Sequence, residues 1–218
     1  IGSQLTQLAP FEEAYKRIAQ LVVDLQEDGH DISVIDIGGG LGITYHDETI
    51  PTKQDYAAVA KTQLGHLNCT IVIEPGRSLL GNAGILVSSV VFVKTGEERQ
   101  FLILDAGMND LIRPSMYEAY HDILAVDCSN KTLKTYDVVG PVCETGDTFA
   151  KARQVSESSS GDLIAIMSCG AYGAVMASTY NTRMLAPEVM VKDTEFAVVR
   201  ERPSYQEVIN TDSVPDWV

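Results

Sequence analysis

The 218-residue sequence predicts two joined architectures, a parallel α/β layer over residues 1–80 and an all-β domain over residues 81–218. Three observations carry that reading. In the first part, amphipathic helical patterns alternate with short, nearly continuous apolar runs, the texture of a parallel sheet with helices packed on it. After Gly81 the helical periodicity stops, and apolar, β-branched runs follow one another between turn residues. Finally, the apolar runs of the first part end in a glycine-rich loop and an acidic Pro-Gly turn, as strands do where a parallel sheet presents its ligand-binding edge.

The elements follow in order. Phe11, Ala14, Tyr15, Ile18, Val22 and Leu25 recur at helical spacing, and Gly29 is placed to stop that helix. "ISVIDIGGG" is a short β-branched run closed by glycines. A second helical pattern covers roughly Lys53 to Leu67, and "CTIVIEPGRS" is an apolar strand ending at Glu74. Beyond it, "GILVSSVVFV", "RQFLILDAG", "DILAVDC", "KTLKTYDVVG", "DLIAIMSCG" and "EFAVVRE" read as strands, with a hairpin marked at Thr95-Gly96. "SESSSGD" reads as a surface loop, and no internal repeat is visible. A β-barrel or sandwich is the expected form of the second part.

Composition narrows the chemistry. Hydrophobic residues make up 45% and charged residues 21%, the balance of a globular protein. A formal charge of −14 argues against a general nucleic-acid or anionic-membrane surface, so an anionic ligand has to be held locally. The four cysteines, Cys69, Cys128, Cys143 and Cys169, form no CxxC pair, which fits a reducing, cytoplasmic compartment better than a disulfide scaffold. The longest apolar run, Ala83 to Val93, is interrupted by Ser88 and Ser89 and is too short to span a bilayer. No signal peptide is recognisable, and the opening "IGSQLTQLAPFEEAYKRIAQ" reads as a start inside a larger protein.

Five stretches carry chemistry. "DIGGGLGI" gives consecutive glycines after a buried strand, where backbone amides can turn inward around a phosphate. It fails the dinucleotide pattern, which needs glycine where Ile43 stands, and a tight structural turn is the alternative. "IVIEPGRSL" sets Glu74 at a strand end with Gly76 and Arg77 beside it; the acid can equally cap a helix. In "DAGMNDLIRPSMYEAYH", Arg113 and Tyr117 sit four apart, so one helical turn brings them to one face, fit to clamp a carboxylate. A surface ion pair is the plainer reading. "SCGAYGAVMASTYN" places Tyr172 between glycines, within reach of a ligand or packed in a small-residue turn. "GPVCETGD" sets the lone thiol of Cys143 beside Glu144 on a turn; otherwise Cys143 is a small buried hydrophobe and Glu144 a solvated acid. The four histidines are scattered, no GxSxG elbow occurs, and no metal site is expected.

Taken in order, "GGGLGI", "EPGRSL", "DAGMNDLIRPSMY", "GPVCETGD" and "GAYGAVMASTYN" strongly resemble the diaminopimelate decarboxylases, which belong to the fold-type III pyridoxal-phosphate enzymes. The opening "IGSQ" resembles that family's loop at a barrel strand end. Cys143-Glu144-Thr145-Gly146-Asp147 sets the chain apart from ornithine decarboxylases, whose loop looks more like Cys-Asp-Gly. The resemblance implies the C-terminal part of an alanine-racemase-like (β/α)8 barrel followed by a β-barrel or sandwich domain. It implies pyridoxal 5'-phosphate as cofactor, an amino-acid substrate, and a homodimer with active sites at the interface.

Residue by residue, it implies that Gly39, Gly40, Gly76 and Ser3 hold the cofactor phosphate. Glu74 binds the pyridine nitrogen and keeps it protonated, so that the ring accepts the electrons left when carbon dioxide departs. Tyr172 touches both cofactor and substrate. Arg77, Arg113 and Tyr117 grip the substrate's far carboxylate, and Glu144 recognises the amino group there. Cys143, reaching into the neighbour's site, gives the proton to the substrate carbon. The family's cofactor-binding lysine belongs to an early barrel strand in a segment this sequence does not contain. None of Lys16, Lys53, Lys61, Lys94, Lys131, Lys134, Lys151 and Lys192 stands at the end of an apolar strand beside a matching motif. The chain is therefore expected to be the C-terminal half of a meso-diaminopimelate decarboxylase. The rival expectations are an inactive relative that works by binding, and a decarboxylase of another basic amino acid.

Overall fold

Pro10 opens the first helix, where its missing N–H costs nothing, and Phe11, Tyr15, Ala19 and Val22 form the buried stripe of α1 (Ala9–Glu27). The computed structural model describes residues 1–127, 129 and 132–218; Cys128 and Lys131, counted above, lie outside the described residues. The described chain divides into a first unit, Ile1–Leu86 with Met167–Ala171, and a second, Val87–Ile166 with Tyr172–Val218.

In the first unit, β1 (Val34–Asp36) and β2 (Thr70–Val72) pair in parallel, with Val34 opposite Thr70 and Asp36 opposite Val72. Both strands are shorter than their apolar runs. Asp36 ends β1 by accepting the Gly38 N–H at 2.8 Å, an Asx turn that bends the chain away. α2 (Lys53–Leu64) starts at a capping box, in which Thr52 Oγ1 accepts from the Asp55 amide at 3.1 Å and the Asp55 carboxylate accepts from the Thr52 amide at 3.2 Å. It stops at Leu64, not Leu67, because Gly65 takes the C-cap and donates to the Lys61 carbonyl. α1 and α2 bury Ile35, Ile37 and Leu41 beneath them. Phe11 meets Tyr56 edge to face at 5.0 Å, and the Tyr15 hydroxyl donates to that of Tyr56 at 2.8 Å. Burial is the main reason the Tyr15 phenol is pushed far above its ordinary range, with the Tyr56 hydrogen bond adding to it. A short helix, α3 (Arg77–Leu80), follows the Pro-Gly turn.

The second unit is built on a six-stranded sheet in the order β5-β8-β3-β4-β6-β7. β3 (Leu86–Thr95) and β4 (Gln100–Leu104) form the expected hairpin, closed by the Gly96 amide on the Arg99 carbonyl at 2.8 Å. β6 (Leu133–Val139) runs parallel to β4 and antiparallel to β7 (Thr148–Ser156), while β5 (Ile123–Ala125) pairs antiparallel with β8 (Leu163–Ile166). Leu102, Leu104, Tyr136, Val138, Ile164 and Ile166 are among its deeply buried apolar side chains. A five-residue helix, α4 (Arg113–Tyr117), lies between β4 and β5. β9 (Glu188–Lys192) and β10 (Glu195–Arg200) pair as a two-stranded sheet, and Met190 and Phe196 stand well exposed on them. α5 (Tyr205–Ile209) completes the series.

Two expectations change. Ser158, inside the stretch read as a surface loop, is buried with its hydroxyl on the Ser156 carbonyl at 2.8 Å. β7 and β9 are strands that the apolar pattern did not announce. Lys192 ends β9 behind Val189, Met190 and Val191, with none of the quoted motifs beside it.

Candidate active site

The first cluster forms where β1 and β2 give way to loops at their carboxyl ends. Gly38 and Gly40 take φ of +68° and +101°, the left-handed region that only glycine enters cheaply. Gly39 is required for another reason: a Cβ there would lie 2.3 Å from the Glu74 carbonyl oxygen. At Gly40 a Cβ would lie 2.7 Å from the Gly2 carbonyl oxygen, and the Leu5 amide donates to the Gly40 carbonyl at 3.0 Å. The glycine loop is thereby pressed between the Ser3 segment and the Glu74 turn. Arg77 Nη2 donates to Ser3 Oγ at 3.1 Å, Nη1 donates to the Tyr45 hydroxyl, and the guanidinium lies 5.6 Å from the centre of the Tyr45 ring. Gly76 precedes α3, and its carbonyl accepts from the Leu79 and Leu80 amides. Glu74 is exposed, and its amide donates to the Gly38 carbonyl at 2.8 Å. Ser3, Gly39, Gly40, Glu74, Gly76 and Arg77 thus converge on one patch of the first unit.

The second unit carries the other group. Arg113 and Tyr117 both lie on α4, but Arg113 is only 7% exposed whereas Tyr117 is 60% exposed. The Arg113 guanidinium donates to His121 Nε2 at 2.8 Å. An arginine is always a donor, so this ring nitrogen accepts and the imidazole is neutral there. Cys143 and Glu144 stand exposed on the turn after β6, which sets aside the buried-hydrophobe reading of the thiol. Ser115 of α4 donates to the Gly146 carbonyl, so this turn packs beside α4, and the Tyr180 hydroxyl donates to Glu144 Oε2 at 3.3 Å. A cavity of about 400 Å³ opens next to it, with Ser115, Thr145, Gly146 and Arg153 among its walls. Tyr172, 39% exposed, adopts φ of +60°, an unusual backbone for a bulky residue and of the kind kept at binding sites.

Sequence reading missed several residues. Asp147 is buried and receives the Met108 and Val142 amides, each at 2.6 Å. Burial pushes its carboxyl up, while the amides of Val142 and Met108 and the charge of Arg183 pull it back and Asp110 adds to the rise. Arg183 donates through Nε to Asn109 Oδ1 at 2.8 Å and through Nη2 to the Asp105 carbonyl, fixing the loop ahead of α4. Tyr45 and His121 hold the two arginines. Asp147 and His121 lie within the quoted motifs "GPVCETGD" and "DAGMNDLIRPSMYEAYH", but nothing in their local pattern marked their contacts.

Comparison with known proteins places the chain in a family. Residues 20–170 match the family described as pyridoxal-dependent decarboxylase, C-terminal sheet domain, and the chain belongs to that family. Within it, the chain is 47% identical to the diaminopimelate decarboxylase of Zymomonas mobilis, over 100% of this chain and 52% of that protein. The crystal structure of diaminopimelate decarboxylase from M. jannaschii matches with a TM-score of 0.95 at 37% identity, over 100% of this chain and 51% of that one. That of the Helicobacter pylori enzyme, complexed with L-lysine, matches with a TM-score of 0.92 at 40% identity, over 97% and 52%. The chain spans about half the length of the curated relatives it matches.

Proposed function

We propose that this chain is the C-terminal half of a cytoplasmic, homodimeric decarboxylase that converts meso-2,6-diaminopimelate to L-lysine and carbon dioxide. In this reading residues 1–80 are the last strands and helices of a (β/α)8 barrel, and residues 81–218 are its C-terminal β domain. The observation that carries it is the convergence of Ser3, Gly39, Gly40, Glu74 and Arg77 at the carboxyl ends of two parallel strands, in a chain of this family. Arg77 beside Ser3 supplies local positive charge on a chain of net −14, and the glycine loop has no side chains to fill the space a phosphate needs. These residues fit pyridoxal 5'-phosphate, with Ser3, Gly39, Gly40 and Gly76 at the phosphate and Glu74 at the ring nitrogen. Bound there, the cofactor would supply a sink for the electron pair left when carbon dioxide departs.

The remaining chemistry belongs to the chain. Arg77, Arg113 and Tyr117 hold the distal carboxylate and Glu144 the distal amino group, so that only a substrate with both is gripped. Tyr172 borders cofactor and substrate. Cys143 Sγ gives its proton to the carbon that has lost the carboxylate, acting in the site of the other subunit. The test is turnover by the full-length holoenzyme. Carbon dioxide release from meso-diaminopimelate, with little from lysine or ornithine, supports the reading, and comparable release from ornithine overturns it.

A further inference from the structure

The turn that carries Cys143 is organised by a buried carboxylate. Asp147 is 3% exposed, and its Oδ1 accepts from the Met108 amide while Oδ2 accepts from the Val142 amide, both at 2.6 Å. The main chain adds the Gly140 amide on the Asp147 carbonyl and the Asp147 amide on the Glu144 carbonyl, each at 3.0 Å. One side chain thus joins the loop after β4, the strand end at residues 140–142, and the turn that presents Cys143 and Glu144.

The carboxylate fills the space that a side chain at Gly140 would need. A Cβ at Gly140 would lie 2.4 Å from both carboxylate oxygens, and one at Gly107 would lie 3.4 Å from Oδ1. An acid that only capped its own turn would need a neighbouring amide. Here one donor is 39 residues away in sequence and opens the stretch leading to Arg113. Burying a carboxyl is costly, and charge-assisted bonds from two amides are what offset it.

We infer that Asp147 is a positioning residue for the protonation step: it holds the Cys143-Glu144 turn in the single orientation from which the thiol delivers its proton to one face of the substrate carbon. This rests on the decarboxylase reading above. Overall, carbon dioxide leaves with the carboxyl carbon and one proton takes its place, so the hydrogen's configuration at that carbon reports where the donor stood.

The test uses the full-length holoenzyme with Asp147→Asn, which puts an NH2 where one of the two amides needs an acceptor. We expect kcat to fall by up to about 100-fold, as for a misplaced acid, with a rise in KM because Glu144 shares the turn, and with cofactor absorbance within about twofold. In D2O the wild type should place deuterium in one configuration at the new CH2 of lysine, and the variant in both. Iodoacetamide labelling of Cys143, followed by mass spectrometry of its peptide, should change several-fold in rate. A folded Asp147→Asn with wild-type stereochemistry and labelling overturns the inference. If Asp147→Asn does not fold, Gly140→Ala displaces the carboxylate without removing it and is judged by the same readouts. If the wild type releases no carbon dioxide from diaminopimelate, the functional reading fails. The labelling rates need no substrate, so they still decide whether Asp147 fixes the turn.

Discussion

Arg113 donates to His121 Nε2 at 2.8 Å, and both side chains are nearly withdrawn from solvent. A guanidinium proposed to meet a substrate carboxylate is therefore already aimed by a neutral imidazole eight residues along the chain. Replacing His121 by Phe removes the acceptor while keeping a ring in place. That change should cost about 1.5–3 kcal/mol of stability, the worth of a hydrogen bond to a charged group. His121→Gln, which keeps an acceptor, should cost less. Denaturant midpoints of the full-length variants check the order, and equal losses would show that the ring's bulk, not its nitrogen, is what matters.

Arg113→Ala tests the substrate role of the same side chain. It should weaken diaminopimelate binding by about 2–5 kcal/mol, since the distal carboxylate loses its partner. Buried as it is, Arg113 should also lower the unfolding midpoint when removed, which a surface arginine would not. A KM within twofold of wild type would exclude it from the substrate.

Gly39→Ala should separate the glycine loop from the Glu74 turn, because its Cβ would stand 2.3 Å from the Glu74 carbonyl oxygen, a backbone atom with little room to yield. Overpacking of this kind costs about 1–3 kcal/mol. Because the affected loop is the proposed phosphate cradle, cofactor retention should fall with stability. Absorbance of the bound cofactor after desalting measures it, and full retention would remove the loop from the cofactor site.

Much of this was legible in the sequence, and the misses have physical causes. The α1 stripe, the Thr95-Gly96 hairpin and the glycine and acid loops follow from local rules that hold whatever the tertiary surroundings. β7 escaped because its outward positions carry Lys151 and Gln154 and because Ala152, at φ of +48°, sits at a break in the β6–β7 register. A bulge of this kind breaks the period of two by which strands are recognised. Of the site, residues such as Cys143, Glu144 and Glu74, whose side-chain chemistry stands out within a turn motif, could be singled out. Asp147, Tyr45 and His121 act through contacts with residues 39, 32 and 8 positions away, which no local pattern encodes.

Glu48 gives a pH signature. Its Oε2 accepts from the His46 and Tyr45 amides, both at 2.9 Å, closing the turn that sets Tyr45 under Arg77. The His46 amide, more than any other group, holds this carboxyl below its ordinary range. A depressed folded-state value means that the turn's contribution is complete above the unfolded carboxyl's range and disappears as pH falls through the folded value. The stability gap between wild type and Glu48→Gln should therefore be constant near neutrality and close between about pH 5 and pH 3. Urea titrations across that span check it; a gap that widens with acid would contradict the assignment.

The last prediction concerns the two residues assigned to opposite subunits. Cys143→Ala should leave cofactor and substrate held but remove the proposed proton donor, so product should form slowly or aberrantly. Glu74→Ala weakens the electron sink and should slow the loss of carbon dioxide itself. Each homodimer of the full-length enzyme should be inactive, for different reasons. When the two are mixed and allowed to exchange, a heterodimer has one site that draws Glu74 from one chain and Cys143 from the other, both intact, and one site with neither. With random exchange about half the dimers are mixed, each with one good site of two, so activity should return to about a quarter of wild type. Mass spectrometry of the intact dimers establishes whether exchange has occurred. Exchange without recovered activity would mean that Cys143 does not serve its neighbour, and that the exposed turn held by Asp147 works within its own subunit or not at all.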